Sequence, residues 1–259
     1  MSAQGHDRSG EVLVWAIVSD IHGNLEALQA VLADARAHQC EQIVCLGDTV
    51  GYGPNPIECV RLSMSWPIVL QGNFEAAVLS ENDLLGWTAI AAARSVLWQR
   101  WLLCAQLKEY LASRPTINQV NDIWYVHGTP RNPLHEYVFP EDVWNQAKME
   151  RIAASFSRCC FNGHTHVPGI FVEDEQGEWT YLNPIECGNE FRLDRRKAIC
   201  NVGSVGQPRD GDWRACYVLF DGELVRFRRV EYDIEATISK VYANPELDNF
   251  LGTRLRDGC

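Results

Sequence analysis

The sequence predicts an α/β fold built on two sheets within one domain, and three observations carry that reading. Apolar runs alternate with helical stretches through the first half, short strands and tight turns fill the second, and no linker-like stretch parts the halves. The alternation is that of a parallel sheet with right-handed crossovers; the turn-rich half reads as a more antiparallel sheet packed on the first.

In chain order, a polar tail at 1–11 is expected to be disordered and residues 12–259 to form the domain. Val12 to Ser19 reads as a strand, and Asn24 then caps a helix with Leu25, Leu28, Val31 and Leu32 on one face. A second strand ends at Leu46. Gly51, Gly53, Pro54 and Pro56 form a loop that opens a helix near Ile57, and Ile68 to Leu70 is the third strand. Glu75 to Leu111 is helical in composition, with Leu97, Trp98, Trp101, Leu102 and Ala105 at a spacing that suits core or lid packing. Ile123 to Val126 is a strand, His127 to Pro140 a loop, and Glu141 to about Phe156 a helix started by Pro140. Beyond His166, Ile170 to Val172 and Trp179 to Leu182 flank Gly177, while Ala215 to Phe220 and Leu224 to Val230 flank the hairpin signal Asp221-Gly222. Arg192, Arg195, Arg196 and Lys197 read as a solvated turn.

Composition narrows the function. A 259-residue chain, 46% apolar and 22% charged, buries roughly 70–75% of its unfolded surface and is not a disordered chain. No apolar stretch is long enough for a membrane helix and Met1 to Gly10 lacks the apolar segment of a signal peptide, so a soluble cytoplasmic protein is expected. The net charge of −11 argues against a non-specific grip on nucleic-acid backbones, which needs Lys and Arg on phosphates. Ten scattered cysteines without a C-x-x-C pair suggest a reducing compartment, with Cys45, Cys159, Cys200 and Cys216 as small buried hydrophobes.

The chemistry gathers at strand ends. The runs Leu13 to Val18, Ile43 to Leu46, Ile68 to Leu70, Ile123 to Val126 and Cys159 to Phe161 lead into Asp20-x-His22, Gly47-Asp48, Gly72-Asn73, His127-Gly128 and Gly163-His164-Thr165-His166. In α/β sheets ligands collect beyond the carboxyl ends of strands, so one edge of one sheet is expected to carry this set. If the segments are extended, Asp20 and His22 point the same way, as do His164 and His166. Gly47, Gly72 and Gly163 keep the backbone slim beside them. Six or seven oxygen and nitrogen ligands exceed one zinc tetrahedron and suit two ions; the lack of cysteine disfavours a structural zinc.

Taken together, the five endings resemble the signature of the calcineurin-like metallophosphoesterases: D-x-H, G-D, G-N-H-D/E, H and G-H-x-H, here across residues 20–166. With the two-sheet reading, the resemblance implies a four-layer α/β/β/α sandwich of two mixed sheets flanked by helices. It implies one divalent ion on Asp20, His22, Asp48 and His166 and a second on Asp48, Asn73, His127 and His164, with Asp48 as bridge. Manganese, iron, zinc and nickel all remain open. It further implies phosphoester hydrolysis by a metal-bridging hydroxide, with Asp48, Asn73 and His127 catalytic and Asn73 also contacting a phosphoryl oxygen. Phe74 departs from the pattern, standing where a proton-donating His is common.

The loops His127 to Arg131 and Asn201 to Arg209 resemble substrate-facing segments of the bacterial branch. Arg131 and Arg209 are candidate phosphate clamps or ordinary ion pairs, Tyr52 a base-stacking or core residue, and His135 a replacement acid or an exposed loop histidine. The expected substrate is a small nucleotide-like phosphodiester or phosphoanhydride. A protein serine/threonine phosphatase and a non-catalytic scaffold are the rival readings.

Overall fold

The computed structural model describes residues 13–40, 42–80, 82–84, 87 and 89–259; the tail expected at 1–11 lies outside them. Strands β1 (Trp15–Val18), β2 (Gln42–Cys45) and β3 (Ile68–Val69) are parallel neighbours, connected through helices α1 (Leu25–Ala37) and α2 (Pro56–Ser63). This is the expected βαβαβ unit. The Asn24 side chain accepts the Ala27 N–H and caps α1, which buries Leu28, Val31 and Leu32.

Helices α3 (Asn73–Leu79), α4 (Ile90–Leu102) and α5 (Ala105–Ala112) follow, then the antiparallel pair β4 (Ile117–Val120) and β5 (Ile123–Val126). The apolar stripe read into α4 is not its buried face. Trp101 is 89% exposed and Leu97, Leu102 and, at the start of α5, Ala105 also face solvent, while Trp98 is partly buried against the cluster of Val241, Leu247 and Leu251 and Ala92, Ser95, Val96 and Gln99 are buried. The reason is polar: Gln99 and Ser95 accept the N–H groups of Gly51 and Tyr52, and Gln99 also donates to the Gly53 carbonyl. The helix turns inward the side chains that satisfy a buried loop.

The helix expected from Glu141 divides into a 3-10 turn at Pro140–Trp144 and α6 (Gln146–Ala153), because Asn145 caps a new start by accepting the Lys148 N–H. Strands β6 (Cys159–Asn162), β7 (Gly169–Glu173), β8 (Trp179–Leu182), β9 (Glu190–Arg192), β10 (Ala198–Asn201), β11 (Ala215–Phe220) and β12 (Leu224–Val230) come next, and helices α7 (Ile234–Ala243) and α8 (Phe250–Thr253) close the chain.

Two six-stranded sheets result, ordered β3-β2-β1-β11-β12-β9 and β4-β5-β6-β10-β7-β8. Both are mixed. The β11–β12 hairpin pairs with β1, so it extends the first sheet rather than building the second. Side-chain alternation makes the layers: Ile17, Val44 and Val218 meet Phe161, Cys200 and Ile170 between the sheets, while Ala16, Val18 and Tyr217 pack on α1 and Val126, Phe171 and Ile199 pack on the α6 side. The architecture is the four-layer α/β/β/α sandwich. All ten cysteines are free, and eight of them are wholly or partly buried. Among the described residues no helix is long and apolar enough to cross a membrane.

Candidate metal centre

The expected ligands converge at the seam between the sheets, not along one sheet edge. Asp20, His22, Asp48 and Asn73 follow β1, β2 and β3; His127, His164 and His166 follow β5 and β6. All seven are buried. The Asp20 N–H donates to the Gly47 carbonyl, the Gly163 N–H to the His127 carbonyl and the Val205 N–H to the Ser19 carbonyl, lacing the loops together.

The local backbone is not extended. Asp20, His22, Asp48, His164 and His166 have φ of 53°, 50°, 52°, 70° and 62°, and Tyr52 joins them at 44°. Such left-handed conformations cost of order 1–3 kcal/mol each outside glycine and gather where surrounding structure over-determines them. The i, i+2 pairs therefore converge by tight turning, and His164 and His166 part into different clusters rather than sharing one target.

Asp20, His22 and His166 form the first cluster, their ligand atoms within 4.8 Å of one another. Asp20 Oδ2 accepts the His164 N–H, which leaves Oδ1 facing His166 Nε2 at 3.1 Å and His22 Nε2 at 3.7 Å. His22 Nδ1 donates to the Val50 carbonyl at 2.9 Å and His166 Nδ1 to the Gln207 carbonyl at 2.5 Å. Each carbonyl can only accept, so each Nδ1 carries its ring's proton. The two Nε2 atoms then face each other at 3.2 Å beside Asp20 Oδ1, a convergence of donor atoms that suits a cation.

The second cluster is Asp48, His127 and His164, with Asn73 beside it. His127 Nε2 sits 3.0 Å from Asn73 Oδ1, 3.0 Å from His164 Nδ1 and 3.3 Å from Asp48 Oδ2. Asp48 Oδ1 accepts the Phe74 N–H, and Oδ2 lies 3.7 Å from His22 Nε2 as well, so this one oxygen faces both clusters. A Cβ on Gly72 would collide with Asp48 Oδ1, and one on Gly163 with Asp20 Oδ2, which explains both glycines.

Glu75 is a site residue the strand endings do not announce. Its carboxylate accepts four backbone N–H groups, from Asp48, Thr49, Val50 and Gly72, and so fixes the loop that carries Asp48 to the start of α3. Its place in Gly72-Asn73-Phe74-Glu75 was the available signal. Burial and the nearby Asp48 push its acid up to about 7, against the stabilising N–H groups.

The charge states fit cation binding. Burial and His127 push His164 down to about 3, and burial and the Arg209 guanidinium push His166 down to about 4. Burial alone would lower His127, yet the Asp48 and Asp20 carboxylates raise it to about 9, so this ring holds the proton that a cation would replace. Asp20 Oδ1, His127 Nδ1 and His164 Nε2 are buried without a hydrogen-bond partner. Of these only Asp20 Oδ1 faces a cluster, an uncompensated carboxylate oxygen beside inward imidazole nitrogens of the kind divalent transition ions take up, while His127 Nδ1 and His164 Nε2 are the ring nitrogens opposite those that face each other.

Residues 13–223 match the model of the calcineurin-like phosphoesterase superfamily domain. The chain belongs to the calcineurin-like phosphoesterase superfamily. It is 36% identical over 251 residues to an uncharacterized protein of Methanocaldococcus jannaschii, an alignment spanning 93% of this chain and 96% of that one. A metallophosphoesterase crystal structure from Sphaerobacter thermophilus superimposes with a TM-score of 0.83 at 36% identity, covering 96% of this chain and 100% of the other. A hypothetical protein of Pyrococcus horikoshii OT3 gives a TM-score of 0.75 at 20% identity over 95% and 99% of the two chains, a likeness of fold. The superfamily is metal-dependent, and this member carries two candidate ligand clusters.

Around this phosphoesterase centre the remaining candidates take distinct places. Arg131 is paired with Glu136 in its own loop. Arg209 has no carboxylate partner among the described residues: its Nη2 donates to Tyr52 Oη and Gln207 Oε1, and its backbone N–H to the His166 carbonyl. Asn201 to Pro208, expected to face substrate, are buried. Asn201 donates to the Gly163 carbonyl and Ser204 to the Asp20 carbonyl, so the segment braces ligand loops, and Arg209 at its end is partly exposed. Tyr52 is wedged between His22 and Phe74, each at 4.6 Å, and meets α7 and α8 through Val241 and Leu251, which occupies it as packing. Phe74 is 4% exposed, its ring edge-on to His22 at 4.8 Å. His135 shares a cavity with Asn73, Phe74 and His164.

Proposed function

We propose that this chain is a hydrolase of small nucleotide-like phosphodiesters or phosphoanhydrides that works with two divalent cations, one held by Asp20, His22, Asp48 and His166 and the other by Asp48, Asn73, His127 and His164. The observation that supports it best is the position of Asp48 Oδ2, 3.3 Å from His127 Nε2 and 3.7 Å from His22 Nε2, which joins the clusters through one carboxylate oxygen. Cations bound there would acidify a water into a nucleophile and neutralise phosphoryl oxygens. The chain supplies the rest. Asn73 lines the cavity beside the clusters, where its amide N–H can donate to a phosphoryl oxygen. Arg209, lacking a carboxylate, adds a fixed positive charge beside His166 that suits an anionic substrate. Phe74 offers no proton to the departing oxygen, which favours leaving groups that depart without one, anhydrides and aryl esters over alkyl monoesters.

Metal analysis of the purified protein and a screen of phosphate esters and anhydrides with added manganese test this. The expected result is about two equivalents of metal per chain, with hydrolysis lost on chelation and restored by manganese. Folded protein that holds no metal and hydrolyses nothing would support the scaffold reading. Preference for a phosphoserine peptide over nucleotide anhydrides would support the protein phosphatase reading.

A further inference from the structure

Beside the second cluster lies a cavity of about 250 Å³ whose floor includes Asn73 and His164 and whose walls include Phe74, Trp87 and Tyr137. Tyr137 stacks on His164 with ring centroids 3.7 Å apart, and Trp87 meets Phe74 edge-on at 4.8 Å. Tyr137 is 40% exposed and Trp87 half-buried, so both border solvent as well as the site. Among the described residues no Asp, Glu, Lys or Arg lines this space, and its titratable side chains that are not candidate ligands are His135, Tyr52 and Tyr137.

We propose that this cavity is a slot for a planar aromatic substituent on the phosphoryl group, a nucleobase or an aryl ring. The inference rests on the phosphoesterase reading, because the phosphoryl group must sit at the clusters for its substituent to reach the slot. Among the described residues that line the cavity a second phosphate finds no cation and an amine no carboxylate, and the Arg209 guanidinium nearby is spent on the Tyr52 hydroxyl and Gln207. A flexible alkyl chain would bury area without using the walls, whereas a flat ring gains stacking and edge contacts with them. The volume falls below the roughly 300–1,000 Å³ of drug-sized sites, which suits one ring system rather than an extended ligand. With Tyr52 and Phe74 packed on His22, and Tyr137 stacked on His164 and Phe139, Trp87, whose one ring contact among the described residues is edge-on to Phe74, is the ring left to discriminate.

The experiment compares methylphosphonate, phenylphosphonate and adenosine monophosphate as ligands of the metal-loaded protein by calorimetry, in the parent chain, Trp87→Ala and Trp87→Phe. Phenylphosphonate or the nucleotide should bind at least about tenfold tighter than methylphosphonate, the scale of one base–aromatic stack. Trp87→Ala should cut that preference to less than about threefold, and Trp87→Phe should retain most of it. Preference for the phenyl compound alone assigns the slot to an aryl group close to phosphorus; preference shared by the nucleotide assigns it to a base. Equal binding of all three, or a parallel loss of all three in Trp87→Ala, would overturn the slot while leaving the phosphoesterase reading intact. Binding of none would overturn both.

Discussion

The two ligand clusters differ in how their imidazoles are held. In the first, His22 and His166 each spend Nδ1 on a backbone carbonyl and present Nε2 inward. In the second, His127 has a buried Nδ1 with no partner, and His164 leaves Nε2 equally bare. A second partner on a ligating imidazole fixes its tautomer and angle, and losing one typically costs about 10–100-fold in metal affinity. The first cluster is thus ordered by the protein alone, whereas the second would depend on a bound cation to fix its rings. The carboxylates show the reverse emphasis: Asp48, whose Oδ2 faces both clusters, has the Glu75 clamp behind its backbone.

Removing the shared group should erase the distinction. Asp48→Asn should lower kcat/KM by more than about a thousandfold, beyond the hundred- to thousandfold cost of one oriented donor, and should deplete both sites. His22→Ala should leave the second site populated. Two retained metals with full turnover in Asp48→Asn would show that no bridge exists.

Glu75 sharpens the comparison from behind. In Glu75→Gln one oxygen becomes an NH₂ aimed at two backbone N–H groups, so about 2–4 kcal/mol of stability should be lost. Metal loss should be concentrated in the second site, where Asp48 contributes most closely. Denaturant unfolding and metal content measured together check this; an unchanged midpoint would mean the four N–H groups find other partners.

Chelation separates the clusters directly. Graded chelator should remove one ion at about 10–100-fold lower concentration than the other. The retained ion should belong to Asp20, His22 and His166, so His127→Ala should keep it and His22→Ala should not. Simultaneous release in the parent chain would mean that the unpartnered imidazoles are no handicap.

Much of this was legible in the chain: the seven candidate ligands stand at strand endings that resemble a known signature, and the glycines beside them and the βαβαβ half follow from residue type and spacing. What stayed hidden was collective. No local pattern distinguishes His127 and His166 on a second sheet from ligands on the first, since sheet membership is set by β10 slotting between β6 and β7. Left-handed backbone at Asp20, His22 and Asp48 is imposed by loops from several strands, not by the residues' own preference. The exposed Trp101 misleads for the same reason that Gln99 does: periodicity ranks residues by apolarity, while this helix buries hydrogen bonds owed to Gly51, Tyr52 and Gly53.

The smallest expected effect concerns Phe74, which packs edge-on against His22 of the first cluster and walls the cavity floored by Asn73 and His164 of the second. General acid catalysis helps only where protonation of the departing oxygen lowers the barrier, so a site lacking that acid should be penalised in proportion to the basicity of the leaving group. The parent chain should therefore favour an aryl phosphodiester and a nucleotide anhydride over an alkyl monoester in kcat/KM. Phe74→His places an imidazole at the cavity wall and should raise turnover of the alkyl monoester by about tenfold, narrowing the gap. The substitution also removes an aromatic wall, so the aryl substrate should lose some of its advantage at the same time, and only a gain on the alkyl ester itself counts as restored acid catalysis. Parent protein that cleaves all three substrates equally would show that a donor is already present. His135, the one histidine among the described residues on the same cavity that is not a candidate ligand, is where that donor would be sought, and His135→Gln should then depress the alkyl monoester most.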